Sequence, residues 1–261
     1  MRIALGGNTV YVSTGSSKHV DGAPAIVFVH GAGHDHSVWV MPARFFARHG
    51  FNVAAVDLPG HGRSAGPPLD RIADMSDWLY TVLQNLGFAR TVVVGHSMGS
   101  LVAAQFAADH ARVCRAIALL GTSMPMPVTE MLLNAAADDH HAAIDMANTW
   151  SHAGKVGASS NPGVWMLGSG ERLMERAGPG VFHADLEACN SFSPPQGVIE
   201  CPALVIAGDS DQMTPAKAGL SVADGLPAAT VVRLEGCGHA MLSERPNAVL
   251  DALWAFVDGL V

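Results

Sequence analysis

Thr91-Val92-Val93-Val94-Gly95-His96-Ser97-Met98-Gly99-Ser100 joins a β-branched run to a Gly-x-Ser-x-Gly pentapeptide, and the apolar, alanine-rich stretch 101–108 follows. β-Branched residues favour strands and alanine-rich stretches favour helices, so Ser97 is predicted on a turn between a buried strand and a helix. A turn this tight forces the serine backbone into a sparsely populated region. Glycines two residues before and two after it let the chain pass itself. The hydroxyl is then expected to project into a cleft beside a helix N-terminus, where developing negative charge is favoured. With 28 glycines in 261 residues, a chance match to the pentapeptide is a real risk, so the remainder of the chain has to supply the context.

Outward from this turn, short Val- and Ile-rich runs alternate with helix-like stretches, the pattern of a parallel sheet covered on both faces. Central strands are predicted at 25–29, 52–56, 91–94, 116–120, 203–207 and 230–234, and helices at 38–48, 75–86, 98–109, 216–223 and 246–258. Residues 2–14 resemble a hairpin turning at Gly6-Gly7-Asn8. Between Met124 and Pro195 the rhythm stops and no buried strand is evident. Pro125, Pro127, Pro194 and Pro195 bracket this interval, because helices do not continue through them. It follows a strand end, where open α/β sheets place their ligands. It is therefore expected to lie over the sheet's C-terminal edge and to offer Trp150, Trp165 and Met166 to a pocket, with extra helical packing as the plainer alternative.

Composition narrows the function. The 15 Lys and Arg against 23 Asp and Glu give a net charge of −8, with no basic run, which argues against nucleic acid or an anionic membrane as partner. A small-molecule substrate is expected instead. No segment reaches membrane-spanning length, the N-terminal residues do not read as a signal peptide, and the four cysteines form no C-x-x-C pair. A cytoplasmic location follows as an expectation, and oligomeric state is left open. The thirteen histidines, His34 and His36 with Asp35 among them, invite a metal reading, but scattered turn histidines are the commoner case, so no metal or cofactor is predicted.

An acyl-transfer serine needs a base, and the base needs a carboxylate that orients it. The strand at 203–207 runs into Gly208-Asp209-Ser210-Asp211, and the strand at 230–234 into Gly236-Cys237-Gly238-His239. Both Asp209 and Asp211 qualify as the acid, and either gives the order Ser, Asp, His expected for this nucleophile turn.

Together with His30-Gly31-Ala32-Gly33 and Asp57-Leu58-Pro59-Gly60-His61-Gly62-Arg63-Ser64, these motifs resemble those of the α/β-hydrolase superfamily over essentially the whole chain. The resemblance implies a mostly parallel eight-stranded sheet with helices on both faces. It also implies a core domain of residues 1–123 and 196–261 and a helical cap at 124–195. Ser97 would be the nucleophile, His239 the base and Asp211 the acid, with the backbone N–H groups of Ala32 and Met98 as oxyanion donors. His30 and His96 are expected to support the oxyanion loop and the elbow, and Asp57 to tie down its glycine turn. The implied activity is cofactor-independent hydrolysis of a carboxylic ester or lactone of small to medium apolar character, through an acyl-enzyme. Alternatives under the same resemblance are a C–C bond hydrolase of ring-cleavage products, a thioesterase or perhydrolase, and a slow-turnover small-molecule receptor. A serine at position 97 disfavours dehalogenase and epoxide-hydrolase chemistry, which needs a carboxylate nucleophile.

Overall fold

A computed structural model of the chain describes residues 1–138, 140–153 and 166–260. β1 (Arg2–Leu5) and β2 (Asn8–Ser13) form an antiparallel hairpin, with Gly6 and Gly7 both at positive φ in the turn. β3 (Ala25–Val29), a 3-10 turn (His36–Trp39), α1 (Val40–Arg48), β4 (Asn52–Val56), α2 (Ile72–Leu86), β5 (Thr91–His96), α3 (Met98–Asp109) and β6 (Cys114–Leu120) follow. Next come α4 (Glu130–Asp138), α5 (His140–Trp150), α6 (Met166–Met174) and α7 (Val181–Asn190). The chain then re-enters the sheet through β7 (Ala203–Gly208), α8 (Ala216–Asp224), β8 (Ala229–Leu234), α9 (Met241–Glu244) and α10 (Pro246–Asp258).

The eight strands lie in the order β1-β2-β4-β3-β5-β6-β7-β8, antiparallel at β1–β2–β4 and parallel elsewhere. Alternate residues of a strand point to opposite faces, and here both faces are apolar. Val27, Val93, Leu119 and Val205 pack with Leu79, Leu83, Leu101 and Phe106 of α2 and α3. Their strand neighbours Ile26, Val92, Ala118 and Leu204 pack with Phe46 of α1 and Val249 and Leu253 of α10. Burial on both sides is why β3 to β7 read as continuous apolar runs.

The strand expected at 230–234 is correct in position but not in place. β8 is an edge strand, and of its residues only Leu234 is fully buried. Its Thr-Val-Val run satisfies strand propensity without needing a second covered face. The helix expected from residue 38 begins as the 3-10 turn and becomes α-helical at Val40. The interval between β6 and β7 contains no strand among the described residues. Its helices form a small apolar cluster of their own, including Leu132, Ile144, Met174, Phe182 and Leu186. Among the described residues no helix is long and apolar enough to cross a membrane.

Candidate active site

β5 ends at His96, and the next residue, Ser97, turns the chain at φ 53° and ψ −122° into α3. Such a conformation is costly for a residue with a Cβ and persists only where the surroundings impose it. Two glycines make it possible. A Cβ at Gly95 would overlap the Gly99 carbonyl oxygen, and one at Gly99 would overlap the Val29 carbonyl oxygen. The backbone of Ser97 is pinned on both sides: its N–H donates to Leu120 O (2.9 Å), and its carbonyl accepts from Ser100 N (2.8 Å) and Ser100 Oγ (2.6 Å). Ser97 Oγ itself has no hydrogen-bond partner among the described residues.

The loop after β7 presents Asp211 to the loop after β8. Asp211 Oδ2 accepts from His239 Nδ1 (2.8 Å) and Thr214 Oγ1 (2.8 Å), while Oδ1 accepts from the backbone N–H groups of Met213 (2.9 Å) and Thr214 (2.8 Å). Burial pushes the Asp211 carboxyl up, but the adjacent imidazole and these donors outweigh it and hold the group below its usual 3.8. Asp209 is directed elsewhere, to Arg233 Nε (3.0 Å) at the exposed rim. With Nδ1–H committed to Asp211, the ring's Nε2 is the nitrogen left to accept a proton. The ring stands close to Gly121, where a Cβ would lie 3.1 Å from its Cε1 and Nδ1. Its backbone is also held, since His96 Nε2–H donates to His239 O (2.9 Å) and Glu244 Oε2 accepts Gly238 N–H (2.5 Å). Burial and the neighbouring His239 lower the His96 pKa to about 3, so His96 is neutral.

The loop leaving β3 supplies the third wall. His34 N–H donates to Gly31 O (3.2 Å), His34 Nδ1–H to Ala32 O (2.8 Å), and Gly33 N–H to Asp185 Oδ2 (2.8 Å). Ala32 N–H is left without an acceptor among the described residues, as is Met98 N–H at the start of α3. His30 is neutral by its partners: Nδ1–H donates to Gly31 O (2.9 Å) and Nε2 accepts from Leu58 N–H (3.1 Å). Asp57 ties its turn as expected, accepting from His36 N and Nδ1 (both 2.7 Å) and from Arg63 N (2.9 Å). Asp35, His36 and Asp57 bring three ligand-type atoms close together, but these bonds already occupy Asp57 and the Nδ1 of His36.

Ser97, His239 and Ala32 all line one cavity of about 400 Å³, with Trp150, Met166 and Phe182 on the side of the insertion. Trp165, expected beside them, lies outside the described residues. No Lys, Arg, Asp or Glu is among the cavity's described lining residues. Thr214, Glu244 and Asp185 were not anticipated from the sequence. Asp185 did leave a trace there: it stands on the face of α7 formed by Val181, Phe182, Leu186 and Cys189, all buried, where a carboxylate has no place without partners.

Known proteins bear out this architecture. Residues 26–252 match the model of the Alpha/beta hydrolase family. A putative carbamate hydrolase of Klebsiella pneumoniae is 28% identical over 239 residues, covering 84% of this chain and 85% of its own. A non-heme chloroperoxidase of Streptomyces lividans is 29% identical over 266 residues, covering 91% and 92%. Among solved structures, the enol-lactonase from Burkholderia xenovorans superposes with a TM-score of 0.85 at 22% identity, covering 99% of this chain and all of its own. A thermophilic esterase gives 0.81 at 23% identity, covering 100% and 97%. A family match across most of the sheet, from β3 into α10, joins the eight-stranded topology in one conclusion: this chain is a hydrolase-fold protein belonging to the alpha/beta hydrolase family.

Proposed function

We propose that the protein is a serine hydrolase that cleaves a carboxylic ester or lactone of small to medium size through an acyl-enzyme. The supporting observation is the sharing of one cavity by a serine at a strained strand-to-helix turn and an imidazole whose other nitrogen is bound to a buried carboxylate. In this mechanism Ser97 Oγ attacks the carbonyl carbon while His239 Nε2 takes its proton. Rotation of the Ser97 hydroxyl toward the ring makes that hydrogen bond as substrate enters, since catalytic contacts are often open in the free enzyme. The oxyanion is held by Ala32 and Met98 N–H, His239 returns the proton to the leaving oxygen, and water repeats the sequence on the acyl-enzyme. Asp211 keeps the imidazole in the productive tautomer and stabilises its cation. The helices between β6 and β7 act as a cap and give the pocket its apolar side. A lining without described charged residues suits neutral substrates better than carboxylates.

A screen of neutral p-nitrophenyl esters, lactones, thioesters and vinylogous diketones, with Ser97→Ala as blank, tests this assignment. Steady turnover of an ester or lactone that disappears in the variant is expected. Turnover that survives in Ser97→Ala, or activity confined to the diketones, would overturn it. A single stoichiometric burst would point to a receptor.

A further inference from the structure

Asp185 belongs to α7, in the insertion, yet its carboxylate is wholly buried and reaches two loops of the core. Oδ2 accepts from Gly33 N–H (2.8 Å) and from His61 Nε2 (2.8 Å). The other nitrogen of His61 faces Pro59 O at 3.0 Å. Both ring nitrogens therefore meet acceptors, and both must carry hydrogen, so His61 is an imidazolium paired with Asp185. Its surroundings agree: the ring also has the neutral His30 beside it, at 4.8 Å between centroids, and Asp57 nearby.

Gly33 is at φ +67°, and a Cβ there would stand 3.0 Å from the Phe182 ring of the same helix. The loop is thus pressed onto α7 by shape and fastened to it at one N–H. We infer that Asp185 is a positioning residue for the proposed hydrolysis: by holding the Ala32–Gly33 peptide, it sets the direction of the adjacent Ala32 N–H toward the oxyanion. This rests on the serine-hydrolase assignment and extends it, because the cap then completes the oxyanion hole as well as the pocket. His61 balances the buried charge and ties the glycine turn after β4 to the same carboxylate.

The test compares wild type with Asp185→Ala, Asp185→Glu and Asp185→Asn on p-nitrophenyl butyrate. Alanine removes the acceptor, glutamate displaces it by one methylene while keeping the charge, and asparagine keeps a carbonyl at its place. Loss of an oxyanion donor costs about 10²–10³ in kcat. A donor that is misaimed rather than deleted is expected to cost about 10–100-fold, with KM within about threefold. Asparagine should restore kcat to within about fivefold of wild type. If the alanine variant does not fold, glutamate against asparagine decides alone. Wild-type kcat in the glutamate variant, or a change confined to KM, would overturn the proposal.

Amide exchange at Gly33 separates the two claims. Protection in wild type and Asp185→Asn, lost in Asp185→Glu, is expected even if no ester is turned over, in which case the hydrolase assignment fails alone. An unprotected Gly33 amide in wild type would overturn the role of Asp185 whatever the activity.

Discussion

At the scale of single residues, the choice between two aspartates two positions apart, both just past the end of β7, is decided by what each can reach. Asp211 has four donors on its two oxygens, one of them the imidazole of His239, whereas Asp209 forms an exposed pair with Arg233, an arrangement worth little in water. Asp211→Asn keeps the shape but removes the charge and the tautomer preference, so kcat should fall about 10⁴-fold. Asp209→Asn should stay within about twofold. Steady-state rates of the two purified variants on one ester check this. Ser97, Asp211 and His239 were legible because each follows a strand end with its own glycine-rich loop, a signature confined to a few neighbouring residues. Thr214 was not, since a threonine three residues past Asp211 carries no signature apart from the loop it stands in, and Asp185 was not, since its partners come from chain segments 152 and 124 residues away and no local pattern encodes such a meeting.

At the scale of elements, the turn from β5 to α3 places backbone where any larger residue would put a side chain. Gly95→Ala would drive a methyl into the Gly99 carbonyl, and backbone on both sides is fixed by the sheet and by α3, so nothing can yield. The expected loss is about 3 kcal/mol or more. Gly225→Ala is the control. At the C-cap of α8 it has φ −84° and only an ordinary 3.5 Å contact, with Val222 O, so stability should change by about 0.5 kcal/mol or less. Urea midpoints at unchanged m separate the two outcomes. The elements themselves differed in how openly they showed. β3 to β7 were plain because burial on both faces removes polar residues. β8 reads as a central strand although it lies at the edge, because valines at 231 and 232 suit a strand whether or not it has a neighbour on its far side. α4 to α6 bury few large apolar residues, so only the existence of the insertion's helices and their proline borders are legible.

For the whole molecule, buried histidines of opposite sign make stability a function of pH. His96 is held near 3 and His30 well below 6.5, first by burial and then by neighbouring imidazoles. Such groups bind a proton more readily unfolded than folded, so their contribution is present above pH 6.5 and is lost as pH falls below it. His61 behaves in the opposite way. Burial lowers its pKa, but the charge of Asp185 and the hydrogen bond to it raise it above 6.5 overall. Its contribution is full below the unfolded value and disappears as pH rises through the folded one. His34 is lowered by burial in the same way, so three depressed histidines oppose one elevated histidine, and Asp211, held below 3.8, adds a further loss only in stronger acid. Stability should therefore decline from pH 7 to pH 5. His96→Asn should flatten that decline by removing a group that resists protonation, and His61→Gln should steepen it by removing the group that welcomes it. Urea unfolding free energies at half-unit pH intervals measure all three slopes. A His61→Gln curve parallel to wild type would mean that the buried pair with Asp185 is not ionised.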